Sequence, residues 1–266
     1  MTARSRALLD SFAALGAVDT TCHLGAWPSR LAASADPDEL RAYAARHGLR
    51  ALWVGHLASL FGFDTRSGNE ALIDACGADP LFVPFAVLDA GSPTWAAELD
   101  GAVTAGFRGI RVAPAHHGTP VGAVIPVLQA AAEHGLPVQL LVRLDDARVR
   151  HPLSPVTDPE LHRIADLIRA APVAPLVLSG LNRGEERELR RHFGDDLPAH
   201  VHLDLWHVNG PTFVADALAE EPGRWVFGSG FPIQTPEATM LQLAAAALPP
   251  EDLRRITSGT ATSLLP

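Results

Sequence analysis

Short apolar runs alternate with alanine-rich amphipathic stretches along the whole chain. β-Branched, aliphatic and aromatic residues crowd eight runs, at 17–23, 50–56, 82–88, 108–113, 137–143, 175–180, 201–206 and 224–229. Runs of that length and composition predict strands. Between and after them lie stretches with helical patterning: 37–47, 68–77, 93–105, 121–134, 158–171, 184–193, 211–220 and 236–246. Several open on a capping residue followed by a first-turn proline, as in Asp36-Pro37, Ser92-Pro93, Asp158-Pro159 and Thr235-Pro236. Uninterrupted strand–helix alternation is the pattern of a parallel sheet with helical crossovers. Eight such units without a linker or compositional break predict a single (β/α)8 TIM barrel over residues 1–266, an α/β fold. An open doubly wound sheet is the alternative, but no Gly-rich dinucleotide fingerprint follows the first strand. The longest irregular stretches, 24–36, 57–67, 113–120 and 144–157, all follow strands. They are expected to gather on the C-terminal face, where barrel active sites sit.

Composition narrows the chemistry. With 47% hydrophobic and 19% charged residues the chain can bury a large core. A net charge of −9 argues against nucleic acid or an anionic membrane as partner. There is no lysine, which excludes a Schiff-base lysine, a P-loop lysine and a carbamylated lysine bridging two metals. Cys22 and Cys76 are too few for a disulfide framework or a zinc ribbon. No secretory signal opens the chain, and no apolar run approaches the ~18 residues of a membrane span, so a cytoplasmic protein is expected.

The first strand ends Asp19-Thr20-Thr21-Cys22-His23, and the last leads into Gly228-Ser229-Gly230-Phe231-Pro232. Asn69-Glu70 precedes Asp79-Pro80-Leu81-Phe82, and Gly106-Phe107-Arg108-Gly109-Ile110-Arg111 and Gly135-Leu136-Pro137-Val138 follow in order. In this order and spacing, residues 15 to 262 resemble the amidohydrolase-2 branch of the amidohydrolase superfamily. That branch includes semialdehyde decarboxylase-like and pyrone dicarboxylate lactonase-like enzymes. The resemblance implies metal ligands from Asp-x-His-x-His in the first strand, histidines in the fifth and sixth, and the aspartate of Gly-Ser-Asp-x-Pro in the eighth. Carried over position by position, those sites hold Thr21, His23, Leu141, Gly180 (Ser179 on a one-residue shift) and Gly230. A catalytic zinc needs three protein ligands, so no metal and no other cofactor is expected.

Strand residues two apart share a face, which turns Thr21, His23, Gln139 and Arg143 toward the barrel axis. The resemblance adds Arg111 and Asp204 to the interior, with Trp206 above Asp204 near the mouth. Arg111 is expected either to clamp a substrate carboxylate, as in the lactonase-like members, or to pair with Asp204. His23 reads as a general acid or base, or else as a structural residue bonded to Asp19. Asp204 and His207 are the other catalytic candidates, although His207 has the parity of outward-facing Leu203 and Leu205. Substrate-binding candidates are Arg111, Arg143, Gln139, His56, His116, Trp206 and Thr21. Trp27, Phe61, Phe63, Trp206 and Phe231 suit a flat or apolar substrate. His200 and His202 form an H-x-H at the start of the seventh strand, on the barrel's stability face. Arg183, Glu185, Glu186, Arg187, Arg190 and Arg191 read as a solvated helix face.

The expected function is metal-independent acid/base chemistry on a small organic carboxylate or lactone-like compound: hydrolysis, decarboxylation, isomerisation or cyclisation. The alternative is a non-catalytic barrel that binds a small ligand or a partner enzyme. Dimerisation is left open.

Overall fold

The computed structural model describes residues 2–27, 34–62, 64–148, 150–151, 156–171 and 174–266, without the side chains of 211–213. Phe63 and parts of the stretches 24–36 and 144–157 lie outside the described residues. The strands are β1 (Val18–Ala26), β2 (Ser34–Ala35), β3 (Ala51–His56), β4 (Phe82–Leu88), β5 (Gly109–Val112), β6 (Val138–Leu141), β7 (Leu176–Ser179), β8 (Val201–Asp204) and β9 (Trp225–Val226). Apart from β2, a short antiparallel addition to the end of β1, these are the eight runs read from the sequence. They pair in parallel in the order β1-β3-β4-β5-β6-β7-β8-β9. The chain after β9 closes the ring onto β1, with Thr20 N–H on the Phe227 carbonyl and His23 N–H on that of Phe231, both at 2.9 Å. The fold is a TIM barrel, as the strand–helix alternation predicts.

Helices cover the barrel's outer surface. The one at Pro37–His47 starts on a full capping box between Asp36 and Glu39. That at Arg183–Arg191 starts on another, between Asn182 and Glu185. Ala3–Ala13, Ala58–Phe61 and Pro114–His117 are helices beyond those read from the sequence. The large core lies between strands and outer helices. Inside the barrel two smaller apolar clusters stand at opposite ends. Val18, Trp53, Phe85, Val177 and Val226 fill the N-terminal end, where Ala261 and Leu264 of the Thr260–Leu264 helix close it. Trp27, Leu57, Leu60, Leu141, Trp206 and Ile233 belong to the cluster at the mouth. The buried polar residues of the strands form the layer between.

Candidate functional site

That polar layer is organised around an irregularity in β1. Asp19 pairs with Leu52 but Cys22 with Val54, so β1 carries one residue more than β3 over this span. A bulge leaves carbonyls out of the ladder and they need other donors. Arg111, fully buried on β5, supplies them. Its Nη2 donates to the Thr20 and Trp53 carbonyls at 3.0 and 2.9 Å, and its Nη1 to Cys22 O at 2.7 Å. Its Nε donates to Gln139 Oε1 at 2.6 Å. Burial lowers the Arg111 pKa to about 10. The guanidinium is thus engaged by the protein's own acceptors and not turned as a carboxylate clamp toward the mouth. It does not pair directly with Asp204 either.

The link to Asp204 runs through two neutral residues. Gln139 Nε2 donates to Thr21 Oγ1 at 2.9 Å, and Thr21 Oγ1 donates to Asp204 Oδ2 at 2.7 Å. Asp204 also accepts from the Ser179 hydroxyl and, at 3.1 Å, from Gly180 N–H. Burial pushes its carboxyl up to about 7, against the pull of those three donors. Ser179 is therefore the β7 residue that points inward. Gly180 follows it at φ +96°, a left-handed conformation. Ser179 entered the sequence reading only as the shifted alternative, and strand alternation was the signal for it.

His23 lies on the same inner face of β1 and is fully buried. Neither ring nitrogen has a hydrogen-bond partner among the described residues. Burial, the nearby Arg111 charge and His116 hold its pKa well below the usual histidine value, so the ring is neutral. Asp19 does not reach it. That carboxylate accepts from Thr21 N–H, Ser229 N–H and the Tyr43 hydroxyl at 3.0, 3.0 and 2.6 Å, fastening β1 to the chain after β9.

Among the described residues, aromatic side chains roof the mouth. Phe61 stands edge-on to Trp27 at 4.9 Å and to His116 at 5.5 Å between ring centroids. His117 Nε2 donates to the Ser59 carbonyl at 3.0 Å, tying the helix Pro114–His117 to Ala58–Phe61. His116 Nδ1 and Trp206 Nε1 are buried without partners among the described residues. Burial takes His116 down to about 4. His56 turns aside, its Nδ1 accepting from Ala58 N–H at 3.0 Å. His207 packs edge-on against Trp206 at 4.5 Å and meets Gln234 at 3.3 Å, because β8 ends at Asp204 and strand parity no longer governs it. Burial beside Arg143 holds it near 4.

Arg143 is not open to a ligand. It pairs with Asp158 at 2.9 Å and through Nη1 with Glu185 at 2.8 Å. Asp158 in turn binds Arg150 at 2.7 Å, and Arg150 binds Asp145 at 2.9 Å. This rim network, absent from the sequence reading, joins the loops after β6 and β7. Glu186 is buried between Arg183 and Arg190, which corrects the reading of that helix face as simply solvated.

A catalytic transition metal does not fit these donors. Leu141 belongs to the apolar mouth. Gly230 sits at φ +71°, and a Cβ there would lie 1.8 Å from Trp206 Cε3. The indole fills the space an aspartate side chain would need. His23 is left without a second strong ligand, and no three His, Cys, Asp or Glu side chains gather among the described residues.

A sequence profile described as amidohydrolase matches residues 18–266. No curated protein sequence matches the chain. Among solved structures, 5-carboxyvanillate decarboxylase from Sphingomonas paucimobilis is 13% identical with a TM-score of 0.73, over 94% of this chain and 98% of that one. 2,6-Dihydroxybenzoate decarboxylase from Rhizobium is 17% identical at 0.70 over 94% and 98%. A probable 2-pyrone-4,6-dicarboxylic acid hydrolase from Acinetobacter baumannii, with citric acid bound, is 14% identical at 0.64 over 94% and 98%.

Proposed function

The chain belongs to the amidohydrolase family, and from that footing we propose that it is a metal-independent enzyme. It acts by acid/base chemistry on a small carboxylate or lactone-like substrate at the C-terminal mouth of the barrel. One observation carries the reading: His23 is fully buried and neutral, with both ring nitrogens unpartnered among the described residues. A buried polar group without a partner is costly, and a reacting group on the substrate would supply one. A neutral imidazole takes a proton from the substrate at one nitrogen and returns it in a later step. Behind it, Thr21 and Ser179 hold Asp204, whose carboxyl changes protonation near neutrality. Arg111 and Gln139 position Thr21 and the β1 bulge rather than touching the substrate. The decarboxylases and the hydrolase among the similar structures support this class of chemistry.

The test uses chelator-treated protein against a panel of small lactones and aromatic carboxylates. Turnover without added metal, reduced by ~100-fold or more in His23→Gln, is the expected result. Activity that requires a stoichiometric transition metal would sink the proposal. A second reading is favoured by the apolar cluster at the mouth: a barrel that binds a ligand without converting it. Saturable binding with no turnover of any bound compound would favour it.

A further inference from the structure

Among the described residues, the buried groups left unpartnered at the mouth are all uncharged. They are the two nitrogens of His23, Nδ1 of His116 and the indole N–H of Trp206. Both imidazoles are neutral through burial. Trp206 can only donate, whereas a neutral imidazole offers one N–H and one lone pair. Around them the walls are apolar, with Trp27, Leu57, Leu141 and Ile233 in one cluster and Phe61 packed against it.

Among the described residues, the arginines inside the barrel and in the loop after β6 are already engaged. Arg111 donates to Gln139 and three carbonyls. Arg143 is held by Asp158 and Glu185. Arg150 is held by Asp145, Asp158 and the Val156 carbonyl, and Arg148 by Asp146. Among the described residues, these three rim arginines meet four carboxylates, so the balance within that network is negative. A carboxylate moved into this mouth would lose its water and gain no free cation among the described residues, an unfavourable exchange.

We infer that the site takes its ligand uncharged: a planar carbonyl compound that also bears a hydroxyl. The carbonyl accepts from the Trp206 and histidine N–H groups, the hydroxyl donates to an imidazole lone pair, and the ring lies among the aromatic side chains. Of the substrate classes proposed above, this selects the lactone-like end over the free carboxylate. The inference rests on the reading of the mouth as the site.

Salicylamide and salicylate share the ring and hydroxyl and differ in charge at about pH 7, so they form a matched probe pair. Each is titrated into the full chain while the indole N–H signal of Trp206, assigned with Trp206→Phe, is followed by NMR. Salicylamide is expected to shift that signal at least tenfold more tightly than salicylate. His116→Arg, which adds a cation at the roof, is expected to move the preference toward salicylate. Equal or tighter binding of salicylate to the unmodified chain would overturn the inference and leave the mouth as the site. If neither probe at millimolar concentration shifts the signal, the assignment of the mouth as the site fails as well.

Discussion

Gly230 shows how a single position decides what chemistry the barrel can host. Its left-handed backbone and the Trp206 indole above it both exclude a side chain. Gly230→Asp is expected to cost about 2–4 kcal/mol of stability rather than rebuild a ligand site, because it adds backbone strain to overpacking. Chemical denaturation checks this. Adding Trp206→Ala to that variant should recover part of the loss, and no recovery would mean that Trp206 is not the obstacle. Strand alternation placed Thr21, His23 and Gln139 inside, and the family resemblance added Asp204. It could not show how Arg111 and Arg143 are used. The partners of Arg111 are carbonyls freed by a bulge that no residue type announces. Those of Arg143 lie 15 and 42 residues away in sequence.

Among the elements, the helices with strong start signals were legible, and Pro37–His47 has the extent read from the sequence. Ala58–Phe61 and Pro114–His117 were not, since four residues carry no periodicity. Ala3–Ala13 is fixed by packing, with Phe12 edge-on to Phe227 at 5.0 Å. Asn69, noticed in the sequence as part of Asn69-Glu70, turns out to join a helix to a strand. Register pairing of β3 with β4 runs from Leu52–Phe82 to Val54–Pro84. Beyond it, Asn69 takes the Val87 amide: its Oδ1 accepts from Val87 N–H at 2.9 Å and its Nδ2 donates to Val87 O at 2.8 Å. Asn69→Ala leaves a buried N–H and C=O unpaired and should cost about 2–4 kcal/mol. Asn69→Asp, which keeps the shape and loses the donor, should not restore it. Urea midpoints of the two variants give the answer, and a near-neutral alanine substitution would refute the bridging role.

For the molecule as a whole, buried titratable groups set the pH response. Burial holds His116, His202 and His207 near 4 and His23 lower than its usual value. The unfolded chain binds those protons first, from about pH 6.5 downward, so each group withdraws stability as the pH falls through that window, roughly 1–2 kcal/mol at pH 5 for each of the three held near 4. Asp204 acts in the opposite sense. Its folded value of about 7 lies above the unfolded one, so its contribution is complete below about pH 4 and is lost as the pH rises toward 7. Its gain on acidification from neutrality to pH 5, about 2 kcal/mol, offsets only one or two histidines. The midpoint of thermal unfolding should therefore fall between about pH 7 and 5, and more steeply in Asp204→Asn. A midpoint that rises on acidification would contradict this. Among the described residues no helix is long and apolar enough to cross a membrane. The sequence by itself determined the barrel, because eight apolar runs alternating with helical stretches leave a closed parallel sheet as the arrangement that buries them all. It also turned Thr21, His23 and Gln139 inward, since alternation is a property of the strand alone. Only the tertiary structure decided which polar groups stay free. Hydrogen-bond satisfaction depends on partners brought together across the barrel, and these consumed both arginines while leaving His23 without one among the described residues.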